Sequence, residues 1–120
     1  MGGGMADFDH EKLDVYRLAI QFTAWVGTLL DRLAKPKPSV GRHLDEASAS
    51  IALNIAEGNG KRSLTDRARF LDIARGSALE AAACLDVLVA RRRIDEVGDG
   101  KEMLVRIVSM LTRLIDRLGR

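Results

Sequence analysis

Cysteine is nearly absent from this chain: Cys84 stands alone. No intrachain disulfide can form. Its setting, the apolar stretch "LEAAACLDVLVA", predicts a small buried hydrophobe and not a reactive thiol, which would need exposure and cationic neighbours. Histidine is restricted to His10 and His43. That excludes the repeated Glu-x-x-His pairs of a di-iron bundle and leaves no serine or cysteine with a credible histidine base. No metal, cofactor or catalytic residue is therefore expected. No apolar run approaches the ~18 residues of a membrane span. The opening "MGGGMADF" lacks the charged segment and apolar run of a signal peptide, so a cytoplasmic protein without membrane contact is expected. Residues 1–8 read as a flexible N-terminal extension, with Met5 a candidate first residue, and residues 9–120 as one domain. Aromatics amount to 4% and prolines to two, and no alternating strand pattern appears.

Present in abundance are Ala, Leu, Arg and Glu, strong helix formers, within a composition that is 47% hydrophobic and 30% charged. Four helices follow from apolar steps of three and four. The first runs from about Lys12 to Lys35 on Val15, Ala19, Phe22, Val26, Leu29 and Leu33, and Pro36 and Pro38 stop it. The second, Ser39 to Glu57, carries Leu44, Ser48, Ile51 and Ile55, with Gly58 placed to end it at positive φ. The third is capped by Ser63 in "SLTD", with Asp66 at the capping-box position, and runs to about Arg92. The fourth starts at Asp99 in "DGKE" with the stripe Leu104, Ile107, Val108, Leu111, Leu114, Ile115 and Leu118. Short connections between amphipathic helices predict an all-α, antiparallel up-down four-helix bundle.

Helix 3 departs from the one-stripe rule. Leu64, Leu71, Ala74, Ala78, Ala82, Leu85 and Val89 form one line, and Phe70, Ile73, Ser77, Ala81, Cys84 and Leu88 form another. Either this helix lies central in an asymmetric bundle or its second line meets another subunit; the second arrangement is expected, because an exposed stripe of that length invites aggregation.

"NIAEGNGKRS" (54–63) raises the question of a phosphate loop. The G-x-x-x-x-G-K-[ST] pattern fails, since Ile55 replaces the first glycine, Arg62 replaces Ser or Thr, and the preceding element is a helix. Asn59 and Gly60 instead suit a turn. Around it, Asn54, Glu57, Arg75 and Glu80 interrupt apolar faces. They are expected to form a structural polar network, with Glu57 paired to Arg75, so that Glu57→Ala would loosen the fold. A ligand or RNA pocket at the same place is the alternative.

Net charge is only +2, but residues 61–75 carry five positive and two negative side chains. Lys61, Arg62, Arg67 and Arg69 cluster at the turn, and Arg91, Arg92 and Arg93 end helix 3. These seven are the candidate nucleic-acid-binding residues. As ordinary surface charges they would merely be solvated, the last three also complementing the helix C-terminus. Repeated in an oligomer they would form a continuous basic surface whose binding is salt-dependent. The aromatic platform of sequence-reading RNA modules is missing, so charge or shape would be read.

"KLDVYRLAIQF" (12–22), "SIALNIAEGNGKRS" (50–63) and "RFLDIARGSALEA" (69–81) resemble the four helix bundle protein family encoded in intervening sequences of bacterial 23S ribosomal RNA genes. The accessory variability determinant of diversity-generating retroelements is a relative. The resemblance covers about residues 8 to 118. It implies a homo-oligomer, a pentameric ring in known members, associated with nucleic acid or a reverse transcriptase, and without enzyme activity. The family signature falls on Asn54, Glu57, Gly58, Gly60, Phe70, Arg75, Gly76, Ser77 and Glu80. Relatives often carry paired basic residues in helix 2, where this chain has Asp45 and Glu46 in "HLDEAS". The expected function is thus a non-enzymatic oligomeric scaffold with a basic surface. The rival is a ligand- or metal-binding bundle or enzyme with an interior or inter-subunit site.

Overall fold

The computed structural model describes residues 8–33, 39–95 and 97–119. Regular structure among them is entirely helical: a 3-10 turn at Asp9–Lys12, then α1 (Asp14–Asp31), α2 (Ser39–Asn59), α3 (Leu64–Ala90) and α4 (Gly98–Arg117). Apart from Phe8, the expected extension lies outside the described residues, as do Lys35, Pro36 and Pro38. No helix among the described residues is long and apolar enough to cross a membrane.

Each helix packs on two others: α1 on α2 and α4, and α3 on α2 and α4, the α2–α3 seam being the most extensive. The centre is filled by Phe22 and Val26 of α1, Leu44, Ile51 and Ile55 of α2, Leu85 and Leu88 of α3, and Leu104, Ile107 and Leu111 of α4, all fully buried. Each such side chain contributes about 1.5–3 kcal/mol relative to exposure.

The two apolar lines of α3 turn out to be one face. Leu71, Ala74, Ala78 and Leu85 from the first line and Ser77, Ala81, Cys84 and Leu88 from the second are all buried within the chain. Lines offset by three or four residues lie close together on a helix, so they merge into a broad wedge between α2 and α4. Small residues at Ala74, Ala78 and Ala81 let that wedge sit deep. The expected second flank is therefore not a stripe: Ile73 and Leu79 are exposed, but six residues apart they point in different directions.

Gly58 is a correction. It does not end α2 at positive φ: the helix continues to Asn59, and Gly119 is the glycine with positive φ among the described residues. Gly58 is instead buried against α3, where a Cβ would lie 2.9 Å from the Phe70 Cβ and 3.3 Å from the Arg67 carbonyl oxygen. The glycine permits close crossing, not a left-handed turn. A second close approach occurs at Gly100, where an added Cβ would overlap the Trp25 ring.

The start of α4 also differs. Val97 is the N-cap and makes no side-chain cap bond, while Asp99 lies inside the first turn. There its carboxylate complements the helix dipole instead of capping. The end of α3 uses a non-glycine residue: Arg92 adopts φ 57. Its N–H bonds the Val89 carbonyl at 2.9 Å and the Arg93 N–H bonds the Leu88 carbonyl at 2.9 Å. That is the paired-bond termination for which glycine is usually selected.

Candidate nucleic-acid interface

The turn between α2 and α3 is fixed by backbone bonds and by its own side chains. The Gly60 N–H donates to the Glu57 carbonyl at 3.1 Å and the Lys61 N–H to the Gly58 carbonyl at 3.1 Å, closing α2. Ser63 then caps α3, its Oγ accepting the Asp66 N–H at 3.2 Å. Arg67 reaches back and donates Nε to the Lys61 carbonyl at 2.7 Å. One of the four cations assigned to this cluster is thus a tie for the turn.

Two others converge on a ring. The Lys61 Nζ stands 5.0 Å from the Phe70 centroid and the Arg69 Cζ 4.5 Å from it, within the range of cation–π attraction. Glu57 pairs with Lys61 at 3.4 Å and Asp66 with Arg69 at 3.9 Å. Arg62 is exposed between them and its guanidinium has no ion pair or hydrogen bond among the described residues.

Arg91, Arg92 and Arg93 do not join this cluster. They lie past the far end of α3, a helix of 27 residues that is about 40 Å long at ~1.5 Å per residue, while the first group sits at its start. The seven candidates are two sites. Their electrostatic settings differ as well, since the N-terminus of a helix is its positive end and the C-terminus its negative end. The α3 dipole reinforces Lys61, Arg62 and Arg69 and offsets the three arginines.

The expected Glu57–Arg75 network is absent, and its members separate into different partnerships. Glu57 sits on the outer side of α2 with its side chain 55% exposed. Arg75 lies on the side of α3 that faces α4 and donates Nε to Thr112 Oγ1 at 3.0 Å. Asn54 donates Nδ2 to the Ser50 carbonyl at 2.8 Å and to Ser50 Oγ at 3.0 Å. Ser50 Oγ meets Ser77 Oγ at 2.8 Å, so the polar seam between α2 and α3 is built by Asn54, Ser50 and Ser77. Glu80 is exposed; burial first, and then the Glu80 carboxylate, push the Cys84 thiol up. The spacing of Ser50 and Asn54, four apart on one face, was the available signal for the seam. The role of Thr112 left none, because it depends on how α3 and α4 are set against each other. Among the described residues no group of three or more His, Cys, Asp or Glu side chains could hold a metal ion.

The family described as 23S rRNA-intervening sequence protein matches residues 11–113. The chain belongs to that family. A crystal structure of a protein of unknown function from the S23 ribosomal protein family of Bacteroides thetaiotaomicron is similar, with TM-score 0.64 and 22% sequence identity over 87% of this chain and 94% of that one. At that identity the likeness is one of fold. No curated protein matches the chain. The motif "NIAEGNGKRS" is the corner just described, and its Gly58 and Asn54 serve the α2–α3 seam.

Proposed function

We propose that the protein is a non-enzymatic oligomeric scaffold, an antiparallel up-down four-helix bundle that associates with nucleic acid through its α2–α3 corner. The up-down arrangement is supported by paired contacts. Along α2 and α3, Ser50 meets Ser77 and Gly58 meets Phe70; along α3 and α4, Arg75 meets Thr112 and Asp86 meets Lys101. In each pair of helices the partner number falls as the other rises.

The corner carries the functional part. Lys61 and Arg69 are pre-positioned on Phe70, Arg62 is uncommitted, and the positive end of α3 lies beneath them. Side chains already held in place lose less freedom when they bind. Self-association is supported by Leu53, 68% exposed on α2, and by Ile73, 42% exposed on α3. Leu53 lies one turn from Ser50 and Ile73 one turn from Ser77, and those two serines meet, so the leucine and the isoleucine flank the same seam. A copy of the chain covering this strip would bring one corner per subunit into a shared basic surface.

Light scattering combined with a salt-titrated RNA-binding assay tests both parts. The expected mass exceeds one chain, and Leu53→Asp with Ile73→Asp returns it to one. The expected log–log salt slope falls by about one for each phosphate-contacting cation lost from Lys61, Arg62 or Arg69. Substituting Arg91, Arg92 and Arg93 leaves the slope nearly unchanged. A negative gel shift at low salt would remove nucleic acid and leave a protein partner, such as an enzyme acting on nucleic acid.

A further inference from the structure

Beside the basic corner the bundle end forms a half-open cavity of about 200 Å³. Its floor is Leu13 from the start of α1, Leu71 from α3, and Leu114 and Leu118 from the end of α4, with Arg67 and Arg117 at its edge. Leu71 is buried and the other three leucines pack on the core, so the floor is fixed. A dry apolar cavity of ~150 Å³ already accepts benzene, so this one has room for a body of about six to eight carbons.

The edge is cationic and not neutralised. Arg67 uses its Nε on the Lys61 carbonyl, a neutral group. The Arg117 guanidinium has neither an ion pair nor a hydrogen bond among the described residues. Arg17 and Arg69, by contrast, each have a carboxylate within 3.9 Å. Leu13, Leu114 and Arg117 also line an adjoining hollow that contains Asp14. That carboxylate disfavours a dianion more than a monoanion. Apolar walls with a few convergent polar groups are the usual make-up of a small-molecule site, and a planar guanidinium matches a carboxylate in two-point geometry.

We infer that this cavity binds a small amphiphilic carboxylate, its apolar body on the leucine floor and its carboxylate between Arg67 and Arg117. The site adjoins the proposed nucleic-acid corner, sharing Arg67 with its turn, and does not require nucleic-acid binding there. The test is titration of the full-length protein with octanoate, followed by calorimetry and by backbone amide shifts, with octanol, acetate and octyl phosphate as controls. Saturable octanoate binding is expected, with shifts at Gly58, Asn59 and Leu118. Octanol, which lacks the charge, and acetate, which lacks the body, should each bind about tenfold weaker or worse. Arg117→Gln, at an exposed position, should weaken octanoate about tenfold with an unchanged melting temperature. The inference is overturned by any of four results: no saturation at millimolar octanoate, equal binding of octanol, tighter binding of octyl phosphate, or an Arg117→Gln protein that binds as before.

Discussion

At its first turn α3 meets α2 across a corner pinned by side chains. Ser63 caps the helix, Arg67 holds the Lys61 carbonyl, and Lys61 and Arg69 rest on Phe70 above the bare backbone of Gly58. At its last turn α3 closes on the backbone bonds of Arg92 and Arg93, with Arg92 at φ 57, and Val97 opens the next helix without a side-chain cap. Both ends carry a run of cations, so charge counted along the sequence makes them equivalent. Their surroundings do not: one end is a turn tied by Ser63 and Arg67, and the other closes on an arginine in the left-handed conformation.

The sharpest way to break this contrast is at the two close approaches. At Gly58 the obstacles to a Cβ are the Phe70 Cβ and the Arg67 carbonyl, which move only if α3 moves. Gly58→Ala should therefore cost about 2 kcal/mol even after the helix-propensity gain of an alanine, read as a lower urea midpoint at unchanged slope. At Gly100 the obstacle is the Trp25 ring, which can swing outward, so Gly100→Ala should cost about half as much. Equal losses at the two sites would dissolve the distinction between a pinned and a yielding end.

The opposite end offers a gain. Arg92 holds the left-handed conformation that glycine adopts freely, and an L-residue there bears roughly 1–2 kcal/mol. Arg92→Gly should raise stability by about 1 kcal/mol, allowing for the larger freedom of glycine in the unfolded chain. A rise in the thermal midpoint checks it. The same variant removes one of the three arginines, so if nucleic-acid affinity also fell sharply, the assignment of binding to the α2–α3 corner would be in trouble.

These two ends also show what was legible in the sequence. The apolar steps gave four helices, and Ser63 gave the start of α3 correctly, because capping is a local interaction between residues three apart. The basic residues at the turn were visible as a cluster for the same reason. The role of Gly58 was not, since a glycine at a helix end suits a left-handed turn by local rules, and only the crossing of α2 and α3 shows that it fills a space with no room for a methyl. Arg92 was missed from the other side: local rules do not nominate arginine for positive φ. The Glu57–Arg75 pairing failed because opposite charges on two helices say nothing about rotation, and Arg75 faces α4. The cavity between Arg67 and Arg117 draws on all four helices and has no sequence signal.

The smallest expected effect separates stability from function at the pinned corner itself. Glu57 and Lys61 form an exposed pair four residues apart, with side chains 55% and 36% accessible. Such pairs contribute about 0.3–0.5 kcal/mol. Glu57→Gln should therefore lower stability by no more than about 0.5 kcal/mol, and less at high salt. It also removes the negative charge nearest Lys61 and frees that ammonium. If the corner binds phosphate, affinity at low salt should rise several-fold while the fold is almost unchanged. A stability loss well above 1 kcal/mol would restore a buried role for Glu57. An affinity that stays flat would mean that the charge of this corner is not what a nucleic acid reads.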